Sequence, residues 1–262
     1  MPITRLGAVD YLNARPLVFG LELHNDLFAV RFDPPSKCAA LLHEGSIDVG
    51  MIPSIEFLRG SEPYAMVPGM GIISRGPVAS VALFSAVPAG AIRSIAVDTS
   101  SRTSAGLLQV LCAETLGIDP ELVPMPPDAE AMLARCDAAL IIGDPALYLD
   151  HAARELRKID LGDEWTRLTG LPFVWAFWAG RPGALTREGI AALTIARDAG
   201  VAASDAIADA YCGPERAALG RAYLRDNIHY TLDEPAAAGL RRYYELAEAH
   251  GIVDRVDPLA TY

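Results

Sequence analysis

SIAVDTSSRTSAGLLQVL, residues 94–111, repeats the plan of an earlier stretch, ITRLGAVDYLNARPLVFGL at residues 3–21. Both open on a short apolar run, break at an Asp into a polar loop and resume as a longer apolar segment. Val9-Asp10 answers Val97-Asp98 at a separation of 88 residues. A second pair follows. IDVGMIPSIEFL (47–58) matches CDAALIIGDPALYL (136–149), with Asp48 and Asp137 separated by 89 residues and Pro53 and Pro145 by 92. In each, the Pro stands near the first turn of the segment after a buried strand, where its missing N–H costs nothing. The near-constant offset predicts an α/β fold of two open-sheet domains built to one plan, with helices on the sheet faces.

In open α/β sheets, ligands bind beyond the carboxyl ends of the strands, where helix N-termini converge. The loops DYLNARP, IPS, DTSSRTS and GDP all fall at such ends, so two facing domains would set them on opposite walls of one cleft. DTSSRTS is the richest of them. One capping hydroxyl stabilises a helix start by about 1 kcal/mol. Thr99, Ser100, Ser101, Thr103 and Ser104, together with Arg102 and the N–H groups at the positive end of a helix dipole, also describe a cradle for a carboxylate or phosphate. From these residues alone, a well-capped helix and an anion site are both open readings.

Composition narrows the classes. The chain has 262 residues, 52% of them hydrophobic and 21% charged, which is the make-up of a globular protein of one large domain or two ordinary ones. A net charge of -11 argues against nucleic acid or an anionic membrane surface as partner, because either needs a basic patch. MPITRLGAVDYLN lacks the basic, apolar and small-residue sequence of a secretion signal, and no apolar run reaches transmembrane length, so a cytoplasmic protein is expected. Cys38, Cys112, Cys136 and Cys212 show no C-x-x-C spacing and read as reduced and mostly buried. The five His are scattered, without a metal-binding spacing.

PVASVALFSAVPAG (77–90) and LPFVWAFWAGRPG (171–183) flank the second repeat and read as two passages of chain between domains. One domain is therefore expected over residues 1–84 with 177–262 and the other over 86–172, with crossings near 85 and 173–176. Residues 186–250 read as helices that pack back on the first domain, the last opening on a capping box of Thr231 and Glu234. Trp175 and Trp178 read as packing near the hinge.

The stretches VDYLNARPLVFGLE, VGMIPSIEFL, ISRGPVASVALFS, IAVDTSSRTSAGLLQVL, DAALIIGDPAL and LGDEWTRLTGLPFVWAFW resemble the menaquinone biosynthesis family typified by the chorismate dehydratase of the futalosine route. DYLNARPL and DTSSRTS are the specific pieces. The likeness runs over about residues 5–180, and the C-terminal helices share only length and helical character. The sister family acting on a cyclised futalosine derivative usually opens on a Pro-Asn-Asp cluster that this chain lacks. The resemblance implies a fold like that of type II periplasmic binding proteins. It also implies dehydration of chorismate to 3-[(1-carboxyvinyl)oxy]benzoate, the first step of that route, by a hydro-lyase that needs no cofactor or metal.

Chorismate is a dicarboxylate, so the hydroxyl cradle would hold one carboxylate by charge-assisted hydrogen bonds. Asn13 is the expected first-domain residue at the reacting ring, because its amide donates and accepts without charge. Ser85 would reach the ligand from the cleft floor, and Tyr11, Ser54 and Arg75 are further substrate-binding candidates. Only Asp10, Asp98 and Asp144 offer a carboxylate in these loops, and each also serves as a loop cap. A substrate carboxylate acting as its own base therefore stays open. Two alternatives remain: a solute-binding protein for a small carboxylate, and a lyase for a later futalosine-derived intermediate. Neither oligomeric state nor cleft closure follows from the sequence.

Overall fold

The apolar runs of the repeats form strands buried on both faces, which is why they read as continuous rather than alternating hydrophobic stretches. Val49–Pro53, Val81–Ser85 and Ala138–Ile142 are buried at every position. The computed structural model describes residues 3–256 and 258–262. In chain order its strands are β1 (Thr4–Val9), β2 (Phe28–Asp33), β3 (Val49–Pro53), β4 (Ala65–Met66), β5 (Met70–Ser74), β6 (Val81–Ser85), β7 (Ser94–Asp98), β8 (Glu121–Met125), β9 (Ala138–Ile142), β10 (Arg157–Asp160), β11 (Phe173–Gly180) and β12 (His229–Thr231). The α-helices are α1 (Pro35–His43), α2 (Arg102–Leu111), α3 (Ala129–Arg135), α4 (Gly143–Tyr148), α5 (Leu161–Thr169), α6 (Arg187–Ala202), α7 (Ser204–Cys212), α8 (Ala217–Asp226) and α9 (Glu234–Ala249).

Two mixed sheets result. The first runs β12-β5-β11-β3-β1-β2, with β4 added to β11, and the second runs β10-β6-β9-β7-β8. They share a kernel. In the first, β2, β1 and β3 are parallel neighbours and β11 lies antiparallel beside β3. In the second, β8, β7 and β9 are parallel neighbours and β6 lies antiparallel beside β9. The strands of the sequence repeat thus hold equivalent places in the two sheets.

The crossings lie earlier in the chain than expected. All of β6 pairs with β9 in the second sheet, and all of β11 lies in the first, so the chain passes over at residues 75–80 and 170–172 rather than near 85 and 173–176. Asp160 clamps the first passage by accepting from Val78 N at 2.9 Å and Ala79 N at 2.7 Å, and it also caps α5 through Gly162 N. Lys158 Nζ donates to the Ala79 carbonyl at 3.0 Å. Between these contacts Ala79 adopts a φ of 63°, a conformation an alanine holds only when its surroundings impose it. At the second passage the Trp165 ring of α5 packs edge-on against Phe173 of β11 and Tyr243 of α9, with centroids 5.2 and 6.2 Å away.

Helices α6 to α8 pack on the short 3-10 helix Leu12–Val18, and α9 packs on β11 and α2. The cap of α9 differs from expectation. Thr231 ends β12, and Asp233 is the N-cap, accepting from Ala236 N at 3.1 Å. Cys38, Cys112 and Cys136 are buried free thiols; burial pushes Cys38 up to about 12 and Cys112 up to about 11. Among the described residues no helix is long and apolar enough to cross a membrane.

Candidate active site

The carboxyl ends of β1, β3, β7 and β9 meet at one cavity, and each of these strands runs straight into a helix. Its apolar wall includes Val9, Ile72, Val78, Val81, Ile142 and Trp175, and its polar wall is Tyr11, Asn13 and residues 100–104. The free space is about 70 Å³. That is room for roughly five waters, against at least about 300 Å³ in a typical small-molecule site.

The N-terminus of α2 shows how the hydroxyls divide their work. Asp98 forms the turn before it, accepting from Ser100 N at 2.8 Å and Ser100 Oγ at 2.7 Å. Thr103 is committed to packing: its Oγ1 accepts from Ile55 N at 3.2 Å and lies 3.4 Å from Ser54 Oγ, while its carbonyl accepts from Tyr243 OH at 3.0 Å. Tyr244 OH donates to the Ser54 carbonyl at 2.5 Å, so α2 and the β3 loop are bolted together through α9. Ser101 occupies the N-cap position yet makes no side-chain cap bond. Ser101 and Ser104 are 5% and 4% exposed, and among the described residues neither hydroxyl has a protein partner. Both line the cavity beside the N–H groups of the first turn. Two unspent hydroxyls on nearly buried residues at a positive helix end are fitted to receive an anion.

Arg102 is the one charged side chain on the cavity wall among the described residues. Its NH1 lies 3.7 Å from Glu56 Oε1, a carboxylate that also takes Arg59 NH1 at 2.9 Å and His43 Nε2 at 3.1 Å. Burial alone would raise the Glu56 carboxyl, but its hydrogen bonds from His43 and Arg59 outweigh burial and hold it below the usual range. Arg102 keeps about half its side chain exposed and is free to turn toward a ligand.

Gly143 and Asp144 close the opposite side. Gly143 has a φ of 65°, and a Cβ there would sit 3.1 Å from the Tyr11 ring, so both backbone and space require glycine. Asp144 stands behind the wall, accepting from Tyr211 OH at 2.5 Å and Leu12 N at 3.4 Å. Burial raises its carboxyl against the lowering effect of those bonds. Burial and the Asp98 charge likewise raise the Tyr11 phenol.

Of the residues singled out in the sequence, Tyr11, Asn13, Ser100, Ser101, Arg102, Thr103 and Ser104 come together on the cavity, with Ser54 and Asp144 directly behind it. Three do not. Thr99 is exposed, with its N–H bonded to Met125 O. Arg75 pairs with Asp233 at 2.7 Å beside a separate groove containing Arg197 and His229. Ser85 pairs with Ala138 at the far end of β9 from the cavity, its Oγ donating to Val87 O and Asp137 O. Because β6 runs antiparallel to β9, its first residues face the cleft, not its last. The serine at that end is Ser80, whose Oγ lies 2.7 Å from Tyr223 OH. Ser80 and Tyr223 carry no signal in the sequence; Trp175, expected as packing near the hinge, lines the cavity and donates to Ser74 Oγ at 3.1 Å.

The sequence pattern of the menaquinone biosynthesis family matches residues 4–249. A curated relative, the chorismate dehydratase of Thermus thermophilus, is 30% identical over 273 aligned positions, covering 94% of this chain and 95% of its own. Among solved structures, protein AF1704 of Archaeoglobus fulgidus superposes with a TM-score of 0.76 at 20% identity, over 95% of this chain and 98% of the other. The alkanesulfonate-binding protein SsuA of Xanthomonas axonopodis pv. citri gives 0.68 at 18% identity, over 96% and 94%. The Candida albicans CA3427 gene product, described as having the generic periplasmic binding protein fold, gives 0.65 at 12% identity, over 98% and 92%. The architecture is thus that of periplasmic binding proteins, and on its sequence the chain belongs to the menaquinone biosynthesis family.

Proposed function

We propose that the protein removes water from chorismate to give 3-[(1-carboxyvinyl)oxy]benzoate, acting as a carbon–oxygen lyase at the first step of the futalosine route. The observation that carries this reading is the pair of hydroxyls without a protein partner, on the nearly buried residues Ser101 and Ser104, at the N-terminus of α2 on the wall of an apolar cavity. A carboxylate held there would bring the ring of the substrate among Ile72, Val81, Trp175 and Asn13, which line the same cavity. Among the described residues Arg102 is the one cationic side chain on the wall and would meet substrate charge.

The chemistry asks for orientation more than for machinery. Loss of the ring hydroxyl with a ring proton makes the ring aromatic, so the products are strongly favoured and no electrons change hands. The Asn13 amide donates to the departing hydroxyl. Among the described residues the cavity wall carries no carboxylate, histidine or lysine, which favours a carboxylate of the substrate as the proton acceptor.

The test is incubation of the purified protein with chorismate, followed by aromatic absorbance and the mass of the product. Loss of one water supports the lyase. Binding without turnover supports a solute-binding protein, and turnover only of a later futalosine-derived intermediate supports the other lyase. Asn13→Ala should keep its melting temperature and lose about a hundredfold in kcat, the usual effect of removing one preorganised donor.

A further inference from the structure

The 3-10 helix Leu12–Val18 that carries Asn13 has no cap of its own: Tyr11 holds the N-cap position and makes no side-chain cap bond. The cap comes from the other sheet. Asp144, in α4 after β9, accepts from Leu12 N at 3.4 Å through Oδ1 and from Tyr211 OH of α7 at 2.5 Å through Oδ2. Leu12 is fully buried, and a buried N–H at a helix start is costly when left unpaired. The neighbouring Gly143 lies so close to the Tyr11 ring that a Cβ there would stand 3.1 Å from it. Tyr148, four residues after Asp144 and so on the same side of α4, donates to Cys212 Sγ at 3.3 Å and has the Arg216 guanidinium over its ring at 4.4 Å. We propose that α4 is the latch of the cleft and that Asp144 is a positioning residue, capping the Asn13 helix only when the two sheets close on each other; its effect on rate rests on the dehydratase reading.

The two sides of the cleft differ in a way that says which of them parts. On the α2 side the joint is made by Thr103, Tyr243 and Tyr244, which are 3%, 0% and 0% exposed. On the α4 side the side chains of Asp144, Tyr148, Tyr211 and Cys212 are all partly open to solvent. Water can replace each of those bonds as the sheets separate, so opening on that side costs little. Closing changes what surrounds Asn13. Its carbonyl accepts from Tyr230 OH of β12 at 2.9 Å, a bond made within the half that holds the first sheet. The bond to Leu12 N comes from the other half, so the backbone at Asn13 is fixed from both sides only in the closed form. A backbone N–H only donates and an ionised carboxylate only accepts, which gives that bond one direction, and its negative charge suits the start of a helix.

Asp144→Ala should lower kcat on chorismate about tenfold and add little to the loss in Asn13→Ala, as for two residues that act at one point. Asp144→Asn is the rescue. Its Oδ1 still accepts from Leu12 N, and its NH2 group donates to Tyr211, whose hydrogen turns to the Asp10 carbonyl 3.2 Å away. It should stay within about threefold of the wild type, because both bonds are kept. An Asn variant as slow as the Ala variant would mean that the charge itself is used, and equal losses with and without Asn13→Ala would mean that Asp144 acts apart from Asn13; either overturns the proposal. A second measurement needs no turnover. In ligand-free 15N-labelled protein, Asp144→Ala should shift the Leu12 amide proton upfield and speed its exchange, and Asp144→Asn should leave both near the wild type. The Ile55 amide, bonded to Thr103 on the α2 side, should not move in either variant. An unmoved Leu12 amide, or equal changes at Leu12 and Ile55, overturns the latch. If the wild type leaves chorismate untouched, the dehydratase reading fails, while the two amides still decide whether Asp144 caps the helix. If Asp144→Ala does not fold, Tyr211→Phe, which withdraws the anchor and keeps the ring under Arg15, should give the same shift.

Discussion

Ser101 stands where a cap belongs and caps nothing, while Thr103, two residues on, spends its hydroxyl on the N–H of Ile55. The two should therefore fail in different ways. Ser101→Ala should weaken binding of the enolpyruvyl benzoate about tenfold by titration calorimetry, as expected for a lost bond to a charged group, and leave the melting temperature nearly unmoved. Thr103→Ala should cost about 1 kcal/mol, a fall of about 2–4 °C in melting temperature, with affinity little changed. The cluster itself was legible, because no helix needs so many hydroxyls at its start. The division of labour was not, since it depends on a partner 48 positions away in sequence and on Tyr243, 140 positions away.

At the scale of elements, the short helix Ser54–Leu58 after β3 and the first turn of α2 face each other through Glu56, whose carboxylate takes His43, Arg59 and Arg102. A carboxyl held below its unfolded value adds stability that is present above that value and is lost as pH falls through the folded one. Glu56→Gln should thus flatten the acid limb of a plot of melting temperature against pH, while lowering the neutral plateau. Asp144 works in the opposite sense: its carboxyl is raised by burial, so acid relieves a cost there and does not account for the limb. The C-terminal helices and the strands of the repeats and of the two passages were legible from apolar runs and breakers. Strand direction was not, because an isolated apolar run such as VALFS carries no sign of which way its neighbours point. The sequence therefore points to Ser85 as the cleft serine where Ser80 occupies that end.

For the whole molecule, the cavity of about 70 Å³ describes a closed jaw too small for the proposed substrate. Small-angle scattering of the ligand-free protein should give a radius of gyration above that calculated for this closed arrangement, falling toward it on addition of the enolpyruvyl benzoate. A profile that never departs from the closed form would mean that ligand enters through side-chain movement alone. The duplicated plan behind the jaw was visible as an offset of 88 to 92 residues, but the passage points were not, because β6 and β11 are as apolar as the strands they join. The exchange of β11 has a consequence for how the protein is made. Among the described residues β5 pairs only with β11 and β12, and β11 is the only strand on the side of β3 away from β1, so the first sheet stays half-built until residue 180 has left the ribosome. The second sheet is complete by residue 160. Sheet completion therefore runs opposite to chain order, with the later-made half settling first while the earlier one waits with bare strand edges, the state in which nascent chains aggregate or recruit chaperones. Released chains truncated before residue 173 should show slow amide exchange across β6 to β10 and fast exchange in β3 and β5.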